Sequence, residues 1–340
     1  MRAIRLAEAG LPLIEAELDE PALLPDAILV AVEAAGICRS DAHYRSGFPK
    51  LTQLPRTLGH EVAGTVEAVG ADVRSVSVGE RVALHYLVTC GECRHCVSGH
   101  EQFCRTQAML GKEADGGFAQ FIAAPAVNAF ILPDDVAMTN AAVMMCSTAT
   151  SHHALAKARL RKGESVAVFG IGGLGMSAIQ LARLHGAGQV FAVDVNPSKL
   201  ELARQAGAIP IEAPAAAVGL RSATGGAGVD VALDLVGSAE VIRQGLDALA
   251  PMGRLVAVGL TADTIPFGPY TDLVTDEREL IGASDHLASE IPQLLEWASQ
   301  GALDFSLVVS ETVPLDALAI NEVLDRLEGQ GDSVRSVVVP

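Results

Sequence analysis

The spacing of hydrophobic residues changes near the middle of the chain. Before about residue 130, short apolar runs are separated by Gly, Pro and Asp; they are AILVAVEAAGI (27–37), HEVAGTVEAVG (60–70), ERVALHYL (80–87) and GGFAQFIAAP (116–125). Runs of this kind, bounded by turn residues, are typical of β-strands. The first part of the chain is therefore predicted to be mainly β, with strands that close on themselves.

From about residue 164, apolar runs alternate with stretches of helical periodicity. The segments in order are ESVAVFG, LGMSAIQLARLHG, QVFAVD, PSKLELARQAG, VDVALDLVG, AEVIRQGLDALA, GRLVAVG and RELIGAS. This alternation predicts an α/β doubly wound fold, with a parallel sheet covered by helices on both faces. After about residue 285, LASEIPQLLEWASQG predicts a helix and SVRSVVVP a last strand, but the pattern does not indicate which half they join.

Length and charge narrow the class of protein. The 340 residues exceed the size of about 250–300 at which single cores stop growing, which favours two domains. With 41 acidic and 24 basic residues the formal charge is −17, so we expect no nucleic-acid partner. No apolar segment reaches the roughly 18–20 residues of a membrane span, and the N-terminus does not resemble a secretory signal. We therefore expect a cytoplasmic protein without a membrane partner.

Four of the six cysteines lie in CGECRHCVSGHEQFC, residues 90–104. In a reducing compartment such closely spaced cysteines are more typical of metal binding than of disulfides. Cys90, Cys93, Cys96 and Cys104 can surround one zinc ion tetrahedrally, which leaves no position for substrate and indicates a structural site. This zinc would stabilise a lobe at about 88–106. His95 and His100 lie in the same lobe, and we expect them to be surface residues rather than ligands.

The remaining cysteines, Cys38 and Cys146, are separated by the segment LGHE, which contains His60. Two sulfurs and one imidazole leave a tetrahedral zinc with an open fourth position, the arrangement of a catalytic site. Taken singly, a cysteine is more often a small buried hydrophobe, and His60 could be an ordinary loop residue. Their joint occurrence favours a second metal site, so two zinc ions per chain are predicted.

The segment VFGIGGLG follows a predicted strand and opens a predicted helix. It has Gly170, Gly172 and Gly175 in GxGxxG register, with Gly173 in the same turn. In that context the pattern indicates a dinucleotide-binding turn, with the helix N-terminus facing the pyrophosphate.

The next predicted strand ends at Asp194, 22 residues after Gly172. A carboxylate there would bond the adenosine ribose and favour NAD over NADP. Asp194 could instead cap the helix that begins near Pro197. Lys199 could reach the same ribose or be a solvated lysine.

At these residues the chain resembles the zinc-dependent medium-chain alcohol dehydrogenases. GICRSDAH, GHE, the four-cysteine lobe, Cys146, GIGGLG with Asp194, and SVRSVVVP occur in the order of that family. The resemblance implies a GroES-like β-barrel catalytic domain formed by about residues 1–146 and 286–340, and a Rossmann domain at 147–285. It implies an enzyme that interconverts an alcohol and its aldehyde or ketone with NAD and zinc, in a homo-oligomer that is a dimer or tetramer.

The resemblance also implies roles for single residues. Arg39 and Arg335 would steady the pyrophosphate, although a surface ion pair is an alternative for each. Ser40 and His43 would pass a proton to solvent. Asp41 or Glu61 would support the zinc shell, with Asp41 the preferred partner of the imidazole. Tyr86 would form an aromatic wall of the substrate pocket, or it could be simple core packing.

Other functions on the same scaffold stay open at this point. They are a polyol or diol dehydrogenase of the same family, a zinc-free reductase of the quinone-reductase kind, and a non-catalytic NAD-binding protein. The complete set of candidate ligands argues against the last two, since neither needs it. The sequence does not identify the alcohol, and the bias towards simple alcohols over polyols rests on Cys146 and the complete lobe.

Overall fold

A computed structural model of the protein describes residues 1–329 and 331–340. Its strands are β1 Arg2–Leu6, β2 Ile14–Glu17, β3 Ala27–Ile37, β4 Arg56–Thr57, β5 Glu61–Val69, β6 Arg81–Leu84, β7 Leu87–Val88, β8 Ala108–Met109, β9 Phe121–Pro125, β10 Ala129–Ile131, β11 Ser165–Phe169, β12 Gln189–Asp194, β13 Ile209–Glu212, β14 Val229–Asp234, β15 Leu249–Ala257, β16 Glu279–Gly282, β17 Val309–Pro314 and β18 Arg335–Val339.

The α-helices are α1 Arg39–Ser46, α2 Arg94–Val97, α3 Met138–Val143, α4 Ala149–Lys157, α5 Gly173–Leu184, α6 Pro197–Gln205, α7 Ala216–Ala223, α8 Ala239–Ala248, α9 Pro269–Asp272, α10 Ile291–Ser299 and α11 Ala317–Glu328. A π-helical turn, Met144–Thr148, joins α3 to α4. Within the described residues, no helix has both the length and the apolar character needed to cross a bilayer.

The first unit comprises Met1–Ala149, Leu287–Gly301 and Val309–Pro340. Its main sheet has the strand order β10-β6-β5-β3-β18-β17, and β9 also pairs with β3. The long apolar run of β3 allows it to be buried among these partners, and its side chains join a core that includes Ile4, Leu84 and Phe118. The predicted last strand is confirmed as β18, which pairs antiparallel with β3 in this sheet.

The second unit comprises Thr150–His286 and Ala302–Val308. Its six-stranded sheet has the order β13-β12-β11-β14-β15-β16, and its neighbouring strands are parallel. The predicted doubly wound parallel sheet is thereby confirmed. The strand order changes direction beside β11, which is the place where such sheets form a crevice for a ligand.

Some local expectations differ from the structure. The segment 80–87 was expected to be one strand, but β6 ends at Leu84 and β7 is a separate short strand paired with β8. The segment 286–340 was expected to belong to one domain, whereas residues 302–308 group with the second unit. The helix predicted at 287–301 is present as α10, preceded by a turn of 3₁₀-helix at Ala288–Glu290.

Candidate active site

Pairing of β3 with β5 places two of the predicted metal ligands side by side. Cys38 follows the end of β3 and His60 precedes the start of β5, and Gly36 lies opposite Glu61 in the antiparallel ladder. Cys146 reaches the same place from the π-helical turn. The candidate ligand atoms of Cys38, His60, Glu61 and Cys146 all lie within 4.8 Å of one another, and all four residues are buried. We call these four residues the ligand cluster.

The π-helical turn that carries Cys146 has no counterpart in the sequence prediction. Within it the Ser147 hydroxyl donates a hydrogen bond to the Val143 carbonyl at 2.8 Å. Turns of this type are rare and occur often at functional sites, because the extra residue changes the direction of the side chains that follow. The local backbone therefore helps to set where the Cys146 sulfur lies.

The ligand cluster fits zinc by its chemistry. Thiolate, imidazole and carboxylate are the ligand types that zinc prefers in proteins. Within the described part of the chain, neither buried carboxylate oxygen of Glu61 has a hydrogen-bond partner, and its one cationic neighbour, Arg335, lies 3.4 Å from Oε1 only. A buried, unsatisfied carboxylate is costly unless a cation compensates it. Cys38, His60 and Cys146 would thus hold the ion, with Glu61 within reach of its fourth position.

Charge in the ligand cluster favours a thiolate at Cys38. The hydrogen bond with Cys146 and the positive charge of Arg335 lower the pKa of Cys38 well below its ordinary value, against the opposing effect of burial. Burial raises the pKa of Glu61 to about 7, although Arg335 opposes this shift. Cys38 is therefore the cysteine of the cluster best prepared to bind a cation.

Asp41 is the carboxylate that faces the imidazole. Its Oδ1 lies 3.6 Å from His60 Nδ1 and accepts a hydrogen bond from the Gly59 N–H at 3.2 Å, and its Oδ2 accepts one from the Cys38 N–H at 2.8 Å. Burial alone would lower the pKa of His60, but the Asp41 carboxylate raises it well above the ordinary value. Of the two carboxylates left open by the sequence, Asp41 thus lies beside the imidazole and Glu61 among the ligand atoms.

Arg335 is buried beside the ligand cluster, with only 4% of its surface exposed. Its Nη1 donates a hydrogen bond to the Ile37 carbonyl at 3.0 Å and lies 3.4 Å from Glu61 Oε1. The alternative of a surface ion pair is therefore wrong for this arginine. Arg39, by contrast, is exposed on the first turn of α1.

The residues expected to move the proton lie on α1. Ser40 and His43 are both half-buried. The His43 ring meets the Phe48 ring edge to face, with centroids 6.5 Å apart. Burial and the neighbouring charge of Arg39 lower the pKa of His43 below its ordinary value. His43 is thus neutral, and able to accept a proton, over a wider pH range than an ordinary histidine.

Tyr86 contacts the ligand cluster directly. Its ring is 2% exposed and meets the His60 ring edge to face at 5.3 Å between centroids. It also stacks on His85 at 5.7 Å. Tyr86 therefore packs against the proposed ligand His60. This contact is compatible with either expected role of Tyr86, a wall of the substrate pocket or simple core packing.

The four cysteines of the lobe form a second cluster of ligand atoms. Their sulfurs lie 3.5 Å apart for Cys93 and Cys96, 3.6 Å for Cys104 and Cys90, and 3.9 Å for Cys90 and Cys96, and no disulfide joins them. Four sulfurs at about 2.3 Å from one tetrahedral zinc would be about 3.8 Å apart, so the spacing fits this ion.

Backbone N–H groups also support sulfur anions in the lobe. The Cys93 N–H donates to Cys90 Sγ at 3.3 Å and the Cys90 N–H to Cys104 Sγ at 3.5 Å. The latter bond, with the Thr106 hydroxyl, lowers the pKa of Cys104 to about 6. His95 and His100 lie outside this group of ligand atoms and interact with Arg94 and Ser98.

The glycine-rich turn in the second unit has the backbone that a dinucleotide requires. Gly170 has φ +91°, and a Cβ there would lie 2.6 Å from the Val236 side chain. A Cβ at Gly175 would lie 2.0 Å from the Gly170 carbonyl oxygen, so both positions need glycine. Gly172 caps α5, which begins at Gly173, and the space beside Gly172 is open within 4 Å. The turn therefore leaves room for a ligand at the helix N-terminus.

Asp194 fixes the turn from the end of β12. Its carboxylate accepts hydrogen bonds from the Ile171 N–H at 2.6 Å and from the Asn196 N–H at 2.8 Å. The capping residue of α6 is Asn196, whose side chain accepts from the Ser198 N–H at 2.9 Å. The alternative that Asp194 itself caps this helix is therefore wrong. Lys199 is half-buried on the first turn of α6.

Comparison with known proteins decides the family. The "Alcohol dehydrogenase GroES-like domain" family matches residues 24–134, and the "Zinc-binding dehydrogenase" family matches residues 173–300. The chain belongs to the zinc-dependent medium-chain alcohol dehydrogenases. The resemblance inferred from sequence is thus confirmed, together with the fold class of a GroES-like and a Rossmann domain and the expectation that the protein is an oxidoreductase.

Individual members of this alcohol dehydrogenase family match along the whole chain. An alcohol dehydrogenase from Geobacillus stearothermophilus is 34% identical over 97% of this chain and 97% of its own. A protein of Sulfurisphaera tokodaii named NAD-dependent alcohol dehydrogenase is 33% identical over all of both chains. The crystal structure of the alcohol dehydrogenase of Aeropyrum pernix superposes with a TM-score of 0.92, at 32% identity and with full coverage of both chains.

Proposed function

We propose that the protein interconverts a small alcohol and its aldehyde or ketone, with NAD as the hydride carrier and two zinc ions per chain. The observation that carries the proposal is the ligand cluster, in which Cys38, His60 and Cys146 meet although they are far apart in sequence. The name of the Sulfurisphaera tokodaii relative supports NAD as the cofactor, and the matching zinc-binding dehydrogenase family supports zinc.

Each group in the site then has a defined part. When bound, zinc at the ligand cluster supplies a Lewis acid for the alcohol oxygen, and NAD supplies the hydride acceptor. Cys38, His60 and Cys146 hold the metal, and Asp41 keeps the His60 imidazole in one tautomer and orientation. Tyr86 packs against that imidazole and bounds the space next to it.

The Glu61 carboxylate lies within 4.8 Å of the other candidate ligand atoms, so it could bind the zinc when no substrate is bound. Arg335, 3.4 Å away, offers the carboxylate a cationic partner when substrate takes its place. With Arg335 beside it, the Glu61 carboxylate would keep a cationic partner in this buried site if substrate took its place at the zinc.

The proton released by the alcohol leaves through Ser40 and His43. The lowered pKa of His43 keeps the ring neutral and able to accept a proton at neutral pH. On the cofactor side, the glycine turn would receive the pyrophosphate, and Asp194 and Lys199 would meet the adenosine ribose.

Assembly and location extend this proposal. We place the protein in the cytoplasm as a dimer or tetramer with a small-molecule substrate. Closely spaced cysteines that serve as metal ligands are typical of a reducing compartment, which supports this location.

The test is turnover with a panel of alcohols, including polyols, followed as NADH absorbance and combined with elemental analysis. Cys38→Ser and His60→Ala are expected to abolish turnover and to reduce zinc from two ions to one per chain, with NAD binding retained. His95→Ala, a change of the same type outside the cluster, is the control. Turnover that survives both substitutions would contradict the proposal. Loss of NAD binding along with turnover would mean that the residues serve the fold.

A further inference from the structure

Two loops border the point at which the strand order of the parallel sheet changes direction. β11 leads into the glycine turn, and its neighbour β14 leads into a loop at residues 235–237, which we call the crevice loop. The sheet continues from β11 to β12 and β13 on one side and from β14 to β15 and β16 on the other. A ligand crevice is expected between the two strands at which the order reverses. The crevice loop therefore borders the crevice on the side of β14.

The crevice loop packs directly against the glycine turn. The Leu235 N–H donates to the Phe169 carbonyl at 3.1 Å, next to the paired strand ends of β11 and β14. Val236 then takes the space that a side chain at Gly170 would need, because a Cβ there would lie 2.6 Å from Val236 Cγ2. The position of Val236 therefore limits the space beside the first glycine of the turn.

Asp234, the last residue of β14, fixes the crevice loop. Its Oδ1 accepts hydrogen bonds from the N–H groups of Val236 and Gly237, both at 3.0 Å. Its carbonyl oxygen accepts from the N–H groups of Val258 and Gly259, at 3.0 Å and 3.1 Å, in the segment that follows β15. One residue thus joins the loops that follow two neighbouring strands.

The backbones of these two loops also approach each other closely. Gly237 has φ +78°, and a Cβ there would lie 2.4 Å from the Leu260 carbonyl oxygen. A Cβ at Gly259 would lie 2.1 Å from the Gly237 nitrogen. Because no side chain separates the two backbones, a displacement of the crevice loop also displaces the segment after β15.

The Asp234 carboxylate is costly for the fold. The residue is buried, with 0% of its surface exposed, and among residues 1–329 and 331–340 its Oδ2 has no hydrogen-bond partner. Burial raises the pKa of Asp234, and the N–H groups of Gly237 and Val236 oppose this shift. Natural proteins retain such unsatisfied buried groups mainly at functional sites. Stability alone therefore does not explain an aspartate at this position.

The strand order indicates which part of a dinucleotide the crevice loop would meet. β12, which ends at Asp194, and β14, which ends at Asp234, lie on opposite sides of β11. With the pyrophosphate at the glycine turn and the adenosine ribose at Asp194, the remaining half of the dinucleotide would extend towards β14. The crevice loop would therefore face the ribose that carries the nicotinamide.

We propose that Asp234 is a positioning residue for the cofactor, which holds the crevice loop in the shape that receives the nicotinamide half of the dinucleotide. This inference rests on the proposed use of NAD. It assigns Asp234 no contact with the cofactor, because the carboxylate is buried and acts through the N–H groups of Val236 and Gly237.

Asp230 provides a matched control in the same strand. Its Oδ2 accepts hydrogen bonds from the Ser165 N–H at 2.8 Å and from the Ser165 hydroxyl at 2.7 Å. Like Asp234, it is an aspartate of β14 that fixes a neighbouring backbone, but it lies at the amino end of the sheet, away from the crevice. If Asp234 serves only the fold, Asp234→Ala and Asp230→Ala have the same effects on ligand binding.

The experiment uses the full chain loaded with zinc and compares two ligands. Binding of NADH is followed by its fluorescence, and binding of AMP, which contains only the adenosine half, by competition with NADH. Asp234→Ala is expected to weaken NADH binding about tenfold, or about 1.4 kcal/mol, and to change AMP binding by less than about twofold. Asp230→Ala should lower the free energy of unfolding and leave both affinities within about twofold of the wild type.

Two further variants separate the hydrogen bonds from the loss of a side chain. Asp234→Asn keeps an oxygen that can accept from both N–H groups and should restore NADH binding to within about threefold of the wild type. Asp234→Leu fills a similar volume without an acceptor and should weaken NADH binding as the alanine variant does. It also replaces Asp234→Ala in the comparison if that variant does not fold.

Three results would overturn the inference. They are equal losses of NADH and AMP binding in Asp234→Ala, a loss of NADH binding in Asp230→Ala as large as that in Asp234→Ala, and an Asp234→Asn variant as weak as the alanine variant. In each of these the wild type still binds NADH, so the proposed function stands. A wild-type protein that does not bind NADH would instead contradict the proposed use of NAD, and this inference with it.

Discussion

Gly36 and Glu61 face each other across the β3–β5 ladder, and the Glu61 carboxylate fills the space that a side chain at position 36 would need. A Cβ on Gly36 would lie 2.0 Å from Glu61 Oε2. Gly36 does not adopt the left-handed backbone conformation that favours glycine, so the site requires glycine here for its small size. The position of the Glu61 carboxylate, beside the other ligand atoms and Arg335, thus depends on the absence of a side chain at position 36.

Gly36→Ala is expected to displace the Glu61 carboxylate and to lower kcat/KM. We expect the free energy of unfolding to fall by about 1–3 kcal/mol, the usual cost of overpacking a buried site. Stability is measured by denaturant unfolding, activity by NADH formation and metal content by elemental analysis.

Gly282→Ala is the control for this substitution, because the space beside Gly282 is open within 4 Å. A double-mutant cycle with Glu61→Ala isolates the contact, since removing the carboxylate should relieve most of the strain. If Gly36→Ala reduces stability equally in the wild type and in Glu61→Ala, the strain does not come from contact with the Glu61 carboxylate.

Loss of a zinc ligand in the four-cysteine lobe should reduce the stability of the protein more than its catalytic rate. Cys96→Ser removes one of four sulfurs and should lower zinc from two ions to one per chain. We expect the Tm to fall by at least about 5 °C, given that 1 kcal/mol shifts the Tm of domains of 150–250 residues by about 2–4 °C. The kcat of the molecules that remain correctly folded should change little, even though the Tm falls. Calorimetry and active-site titration check this, and an unchanged Tm would show that the lobe does not depend on its metal.

His43→Ala should change the pH dependence of alcohol oxidation. The neutral ring accepts the proton, and burial and Arg39 lower the pKa of His43, so the wild-type rate falls only as the pH drops below that lowered pKa. In the variant we expect a rate loss at the low end of the roughly 10²–10⁴-fold typical of general bases, partly rescued at higher pH. His95→Ala, which changes a half-buried histidine outside the ligand cluster, should leave the profile as it is. A variant profile with the wild-type acidic limb would remove His43 from proton transfer.

Asp194 should control the preference between NAD and NADP. Asp194→Asn keeps an oxygen that can accept from the Ile171 N–H but removes the negative charge. We expect the ratio of kcat/KM for NAD to that for NADP to fall about tenfold, or about 1.4 kcal/mol. Glu201→Gln on α6, whose carboxylate binds Arg204, is the charge-matched control. An unchanged ratio would mean that the carboxylate serves the glycine turn alone.

The strands and the candidate ligand residues could be predicted from the sequence, because both depend on the local pattern of residue types. β3 has the bounds of its apolar run, 27–37, since a long run of Val, Ile and Ala can only be buried between neighbouring strands. The ligand residues were identified by chemistry and spacing rather than by geometry. The structure then brings Cys38, His60 and Cys146 together through strand pairing.

Other features depend on contacts that no local pattern contains. The π-helical turn at Cys146 is defined by which backbone groups form hydrogen bonds, and the spacing of hydrophobic residues does not reveal this. β13 was missed because its four residues include Pro210 and are mostly exposed, and α7 because its Ala-rich segment resembles a linker. The burial of Arg335 against Glu61 depends on where β18 joins the sheet, which the residues of β18 alone do not encode.

The joining of β18 to β3 has a consequence for biosynthesis. The lobe has all its sulfurs within fifteen residues, so it can acquire metal on the ribosome as soon as residue 104 has emerged. The ligand cluster differs, because the strand that brings Arg335 to Glu61 is made more than 180 residues after Cys146. Until then the edge of β3 at 35–37 has no β18 partner, and Glu61 lacks its cation. The charge balance of the ligand cluster is thus completed only when the last strand is made, whereas the ligands of the lobe are complete at residue 104.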